Sequence, residues 1–231
     1  MKTITLTFLG DLNLFLPGGK REVTCTFRGR QTVKHLIESL GVPHTEVGEV
    51  NRQGQRVRLD YIPRNKEHLT VHPPAPGCEV EPRFLLDAHL GRLTAYLRML
   101  GFDCLYRNDY DDAELTAIVQ REGRILLTRD RRLLMRKAIR YGYCLRSSDP
   151  QEQLHEVVRR FDLTGKISPF QRCLRCNHPL QPVPKREILH RLEPLTKKYF
   201  NEFHICPHCD QIYWKGSHYE RMIRLIESIR G

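Results

Sequence analysis

RFLLDAHLGRLTAYLRMLGFDCLYRNDYDDAELTAIVQREGRILLTRD, residues 83–130, is the stretch whose reading decides the fold. Two short apolar runs, Phe84-Leu85-Leu86 and Ile125-Leu126-Leu127, each lead into an aspartate: Asp87 at once, and Asp130 after Thr128-Arg129. Continuous apolar runs of this length, bounded by polar residues, read as parallel strands buried on both faces. In an open α/β sheet, functional groups gather at the carboxyl ends of such strands. Between the two runs lies an acidic knot, Asp109, Asp111 and Asp112, ahead of a helical pattern. The expectation is that Asp87, Asp112 and Asp130 meet in one cleft, with Asp109 and Asp111 as further candidates. Carboxylate oxygens gathered in this way suit Mg²⁺ or Mn²⁺.

Working outward, strand and helix patterns alternate. Residues 83–88, 103–108, 124–130 and 143–148 read as strands. Residues 90–101, 111–123 and 150–161 read as helices, and a basic helix is expected through Arg131, Leu134, Ala138 and Tyr141. Four alternating units imply a parallel sheet with right-handed crossovers. Several aspartates also have a purely structural reading. Asp111 precedes Glu114 at capping-box spacing, Asp130 can cap the helix after it, and Asp149 ahead of Pro150 and Glu152 is a still better cap. Asp87 ends a buried strand with no Glu or Gln at capping-box spacing. Arg129, Arg131 and Arg132 flank the third acid. They read either as a solvated helix face or as holders of a phosphate backbone, which suits arginine geometry.

The first 79 residues read as a separate domain. Residues 4–10 and 21–27 alternate and are rich in β-branched and aromatic side chains, with turn chemistry at Pro17-Gly18-Gly19 between them. A helix follows, with Val33, Leu36, Ile37 and Leu40 on one face and Gly41 as its stop. A second hairpin is expected at Gln53-Gly54, then a last strand. The order β-β-α-β-β-β resembles a β-grasp, ubiquitin-like domain. Its only Gly-Gly, Gly18-Gly19, sits in an early turn. That argues against a carrier with a free C-terminal Gly-Gly and for a module that binds a protein partner or positions its neighbour. Pro73-Pro74-Ala75-Pro76-Gly77 reads as a semi-rigid linker.

The C-terminal third carries Cys173-x-x-Cys176 and Cys206-x-x-Cys209, separated by residues 177–205. Two such pairs can close one tetrahedral zinc site with four thiolates, structural because no position stays open. A disulfide pairing is the alternative, disfavoured without a secretory segment. His178 and His208 read as non-ligands. The net charge is +11, and residues 164–231, with 12 basic and 6 acidic residues, carry +6 of it. Such an excess favours an anionic partner, RNA or DNA. Lys197 and Lys198 beside Tyr199 and Phe200 read as phosphate and base contacts, or the aromatics as packing for the ribbon core. No apolar run approaches the roughly 18 residues that span a membrane, and a cytoplasmic location is expected.

The motifs FLLDAHLGRLTAYLRMLGFD, the Asp111-Asp112 pair ahead of the second helix, and GRILLTRDRRLL resemble the Mut-seven C-terminal RNase domain family. That resemblance implies a PIN-like nuclease fold over residues 80–165, a zinc ribbon over 166–231, and a ubiquitin-like domain over 1–79. It implies metal-dependent RNA cleavage, with Asp87, Asp112 and Asp130 as the acidic positions. The alternative from another class is a non-catalytic RNA-binding or ribosome-associated adaptor on the same fold.

Overall fold

The computed structural model describes residues 1–230. The strands and helices run β1 (Lys2–Phe8), β2 (Glu22–Phe27), α1 (Val33–Ser39), β3 (Glu49–Arg52), β4 (Gln55–Val57) and β5 (Glu67–His72). Next come β6 (Arg83–Leu86), α2 (Gly91–Met99), β7 (Asp103–Tyr106), α3 (Asp112–Glu122), β8 (Ile125–Thr128), α4 (Arg131–Leu134), β9 (Gly142–Cys144) and α5 (Pro150–Phe161). The last part holds β10 (Gln181–Pro182), α6 (Lys185–Ile188), α7 (Pro194–Tyr199), β11 (Phe203–Ile205), β12 (Ile212–Trp214) and α8 (Ser217–Arg230). Two compact units result: residues 1–76 with 111–145, and residues 77–110 with 146–230.

In the first unit, the alternation of β1 buries Ile4, Leu6 and Phe8 on one face. The strand pairs antiparallel with β2 and parallel with β5, where Leu6 faces Leu69 and Phe8 faces Val71. The sheet order is β2-β1-β5-β3-β4. With α1 burying Val33, Leu36 and Ile37, this is the expected β-grasp topology. The β3–β4 hairpin turns where expected: Gln53 and Gly54 both have positive φ, 49° and 81°, as a two-residue hairpin of right-handed twist requires. The β1–β2 link differs from the tight turn expected at Pro17. It holds a 3-10 turn over Gly10–Phe15 as well, because Leu12, Phe15 and Leu16 fold back and are buried.

Residues 111–145 complete this unit. All of β8 is buried, and it pairs parallel with β9, Leu127 opposite Tyr143. The basic helix expected to reach Tyr141 stops after one turn at Leu134. The chain must reverse before β9, and there a Cβ on Gly142 would stand 2.6 Å from the Leu134 side chain. Turns Arg136 N–H to Leu133 O and Ile139 N–H to Arg136 O make the reversal.

In the second unit, β6 and β7 are parallel, Phe84 opposite Cys104 and Leu86 opposite Tyr106. Phe84 packs its ring against Phe102 and Phe161, centroids 6.0 and 5.7 Å away. The strand expected over 143–148 is short, ending at Cys144. Beyond it, the N–H groups of Arg146 and Ser147 donate to the Glu156 carboxylate at 2.8 and 2.7 Å instead of to a strand. The C-terminal part is a three-stranded antiparallel sheet, β10-β11-β12, over a small core of Ile188, Leu192, Phe203 and Ile212.

Candidate functional site

The acids sit where local chemistry puts them. Asp87 follows directly on the buried residues of β6, and its Oδ1 accepts the Ala88 N–H at 2.7 Å. The Tyr106 hydroxyl donates to Ala88 O at 2.7 Å and holds the loop after Asp87. Gly91 opens α2 without a side chain because a Cβ there would meet the Tyr106 hydroxyl at 2.9 Å. Asp109 lies beyond β7, and the Arg107 guanidinium 2.6 Å away holds its carboxyl below the usual range. These two belong to the second unit.

The other three acids belong to the first unit. Asp111 caps α3 in the expected capping box: its Oδ1 accepts the Glu114 N–H at 2.8 Å, and Glu114 accepts the Asp111 N–H at 3.0 Å. Asp112 opens the helix, with Oδ2 accepting from Arg136 at 2.7 Å. Arg136 also donates to the Asp112 carbonyl and the Thr116 hydroxyl. Asp130 caps α4 through Oδ1, which accepts from Arg132 N and Leu133 N at 2.7 and 3.3 Å. Its own N–H donates to Thr128 Oγ1 at 2.9 Å. Among the described residues no hydrogen bond engages its Oδ2.

The basic candidates separate. Arg129 and Arg132 are exposed. Arg131 donates to the Phe15 carbonyl at 3.0 Å and lies 4.9 Å from the centre of the Phe15 ring. On α7, Lys198 sits 5.2 Å from the centre of the Tyr199 ring, and that tyrosine is 63% exposed.

The four cysteines converge. Their sulfurs lie within 4.8 Å of one another, at 3.4 Å for Cys173–Cys209 and 3.3 Å for Cys176–Cys206. A disulfide needs about 2.05 Å. A tetrahedron of Zn–S bonds near 2.3 Å puts sulfurs about 3.8 Å apart, so the group is compatible with zinc. The two turns are built alike. Asn177 N–H donates to Cys173 O and Asp210 N–H to Cys206 O, both at 2.9 Å. Asn177 and Asp210 take positive φ, 75° and 61°, which Asn and Asp tolerate best among residues with a side chain. Burial opposes ionisation of Cys173, but the Tyr213 hydroxyl, the backbone N–H groups of Cys176 and Arg175 and the Cys209 thiol outweigh it and lower its thiol to about 6. Burial and the competing thiols push Cys176 up to about 12. His178 and His208 stack on each other, centroids 4.0 Å apart.

Sequence reasoning missed how the first cysteine turn is held. Arg98 on α2 is 4% exposed. It donates to Cys104 O at 3.1 and 2.8 Å and to the carbonyls of Leu174 and Arg175 at 3.0 and 2.9 Å. No periodicity marks it, since Arg98 stands among the buried leucines of LRMLG.

A β-grasp region, short parallel strands that run into aspartates, and a group of four cysteines make this a mixed α/β protein. Residues 82–226 match the Mut7-C RNAse domain, and the chain belongs to that family. Residues 1–77 match the Mut7-C ubiquitin domain. Among solved structures, one crystal structure of the small archaeal modifier protein 1 of Haloferax volcanii is 19% identical. It covers 32% of this chain and 100% of its own, with a TM-score of 0.28. A second crystal structure of that modifier is 20% identical over 33% of this chain and 99% of its own, also with a TM-score of 0.28. Comparison with curated proteins gave no match. Among the described residues no helix is long and apolar enough to cross a membrane.

Proposed function

We propose that the protein is a metal-dependent ribonuclease with a PIN-like arrangement of its parallel strands. The observation that carries this reading is the placement of Asp87 and Asp130 just past the carboxyl ends of β6 and β8, the position where α/β sheets present functional groups. Asp87, Asp112 and Asp130 are the acidic residues of a Mg²⁺ or Mn²⁺ site, with Asp109 and Asp111 nearby in sequence. Carboxylate oxygens are the donors these hard cations take. A bound divalent ion supplies an activated water and neutralises charge developing on the phosphate.

The chain's own residues set the conditions. The Asp112–Arg136 pair is exposed on both sides, 51% and 41%, and such pairs are worth at most about 1 kcal/mol. Arg136 would therefore yield that carboxylate to a divalent ion at little cost. Asp130 keeps Oδ2 for a ligand while Oδ1 caps α4. Arg129, Arg131, Arg132, Lys197 and Lys198 are the candidate cations for the RNA backbone. The four cysteines hold a structural zinc in a ribbon that keeps this part of the chain folded.

The test is cleavage of labelled RNA by the full chain with Mn²⁺. Asp87→Asn and Asp130→Asn each remove cleavage while the protein stays folded. Undiminished cutting by both variants defeats the reading, and binding without cutting by the wild type points to an adaptor.

A further inference from the structure

We propose that the β-grasp region is a built-in scaffold for the Asp130 turn, with Arg131 as the positioning residue that latches one to the other. The proposal rests on the reading of Asp130 as a catalytic acid. Three anchors carry it, and all lie within the first unit. Arg131, the residue after Asp130, reaches the Phe15 carbonyl at 3.0 Å and lays its guanidinium 4.9 Å from the centre of the Phe15 ring. His44 bonds Glu38 through one ring nitrogen at 2.7 Å and the Ile139 carbonyl through the other at 2.9 Å. The Glu46 carboxylate, 2% exposed, accepts the Cys144 N–H of β9 at 2.6 Å.

The anchors fall at three successive points of the segment that leaves β8: the start of α4, the turn at Ile139, and β9. On the β-grasp side they come from two 3-10 turns, Gly10–Phe15 and His44–Glu46, and not from its sheet. Gly41 runs beside the latch with φ +94°, a backbone conformation that favours glycine, and a Cβ there would stand in ordinary contact with the Phe15 carbonyl, 3.4 Å away, and Arg131 Nη1, 3.8 Å away. The helix α4 is a single turn, so it has little rigidity of its own. The orientation of its N-cap Asp130 is then set by what holds Arg131. This separates Arg131 from Arg129 and Arg132, which share its charge and its neighbourhood. A planar guanidinium can stack on a ring and donate to a carbonyl at once; an ammonium cannot do both in that geometry.

The experiment compares Arg131→Lys, Arg131→Met, Phe15→Leu and Arg132→Met in the full chain. It uses steady-state cleavage of labelled RNA with Mn²⁺, and hydrogen exchange of the 131–134 amides. Both Arg131 variants should lower kcat roughly tenfold or more at nearly unchanged KM, because misplaced catalytic groups cost rate and not affinity. Lysine should not rescue. Phe15→Leu, which leaves Arg131 in place, should reproduce part of the kcat loss and speed exchange at 131–134. Arg132→Met should instead raise KM. Full rescue by Arg131→Lys together with a raised KM in Arg131→Met is the signature of a phosphate contact and overturns the latch, as does unchanged exchange in Phe15→Leu. If the wild type cuts no RNA, the catalytic reading of Asp130 fails, while the exchange data still decide the latch.

Discussion

Asn177 Oδ1 accepts the backbone N–H of Cys104 at 3.0 Å, and the same side-chain amide donates to Asp103 at 2.8 Å. Arg98 takes the Cys104 carbonyl. Both backbone polar groups of one β7 residue are therefore satisfied from the cluster that grips the first cysteine turn. Removing the Asn177 side chain takes away an acceptor of a buried N–H, a loss of about 1–3 kcal/mol. Asn177→Gly tests this without adding strain at φ 75°. Denaturant unfolding should show the loss, and a change inside about 0.5 kcal/mol would refute the coupling.

Loss of metal should travel the same route. If the cysteines hold the proposed zinc, Cys206→Ser should lower zinc content and loosen the cysteine turns, because metal binding and folding are linked. Through Asn177 and Arg98 the effect reaches β7, so the Cys104 amide should exchange faster. Zinc loss with undiminished protection at Cys104 contradicts the prediction.

Asp130 caps α4 and is proposed as a catalytic acid, and substitutions separate the two. Asn still caps a helix, so Asp130→Asn should abolish cleavage with little change in stability. Asp130→Ala should lose cleavage and also about 1 kcal/mol from the cap. Thermal melts distinguish them, and equal melting points for the two variants would remove the capping role.

Arg136 competes with any cation for Asp112. Arg136→Met should lower the Mn²⁺ concentration for half-maximal cleavage and cost less than about 1 kcal/mol of stability, since the pair is exposed. A metal titration reads the first effect and a melt the second. A higher Mn²⁺ requirement would instead make Arg136 part of the working site.

The β-grasp region carries a pH signature. Burial alone would raise the Glu67 carboxyl, but the Arg64 N–H, the Tyr61 hydroxyl and Arg52 together hold it below its usual value. A depressed folded value means stabilisation present above the unfolded carboxyl near 4.3 and lost as pH falls through the folded value. Glu67→Gln should flatten the melting temperature across that acidic range. An acid limb as steep as the wild type's would show that Glu67 does not contribute.

The caps and turns around the candidate residues were legible in the sequence because their causes are local. The capping box of Asp111 and Glu114 needs only three residues of spacing, and the structure shows both bonds. The cysteine pairs set their own turns. The Gln53-Gly54 hairpin follows from turn chemistry. The extended helix after Asp130 was misread for an equally local reason. Leu134, Ala138 and Tyr141 fit helical spacing, but the return to β9 cuts the helix to one turn. Arg98 was invisible because two of its three carbonyl partners lie 76 and 77 residues away.

By itself, the sequence determined most of the strands and helices up to residue 161, the caps at Asp111, Asp130 and Asp149, and that four cysteines share one centre. Each of these rests on periodicity or short spacing. Only the tertiary structure decided what each arginine does. Arg131 reaches Phe15 across 116 residues, Arg136 reaches Asp112 across 24, and Arg98 is buried against carbonyls. A guanidinium carries the same charge wherever it stands, and its role is fixed by the acceptor that folding brings within about 3 Å.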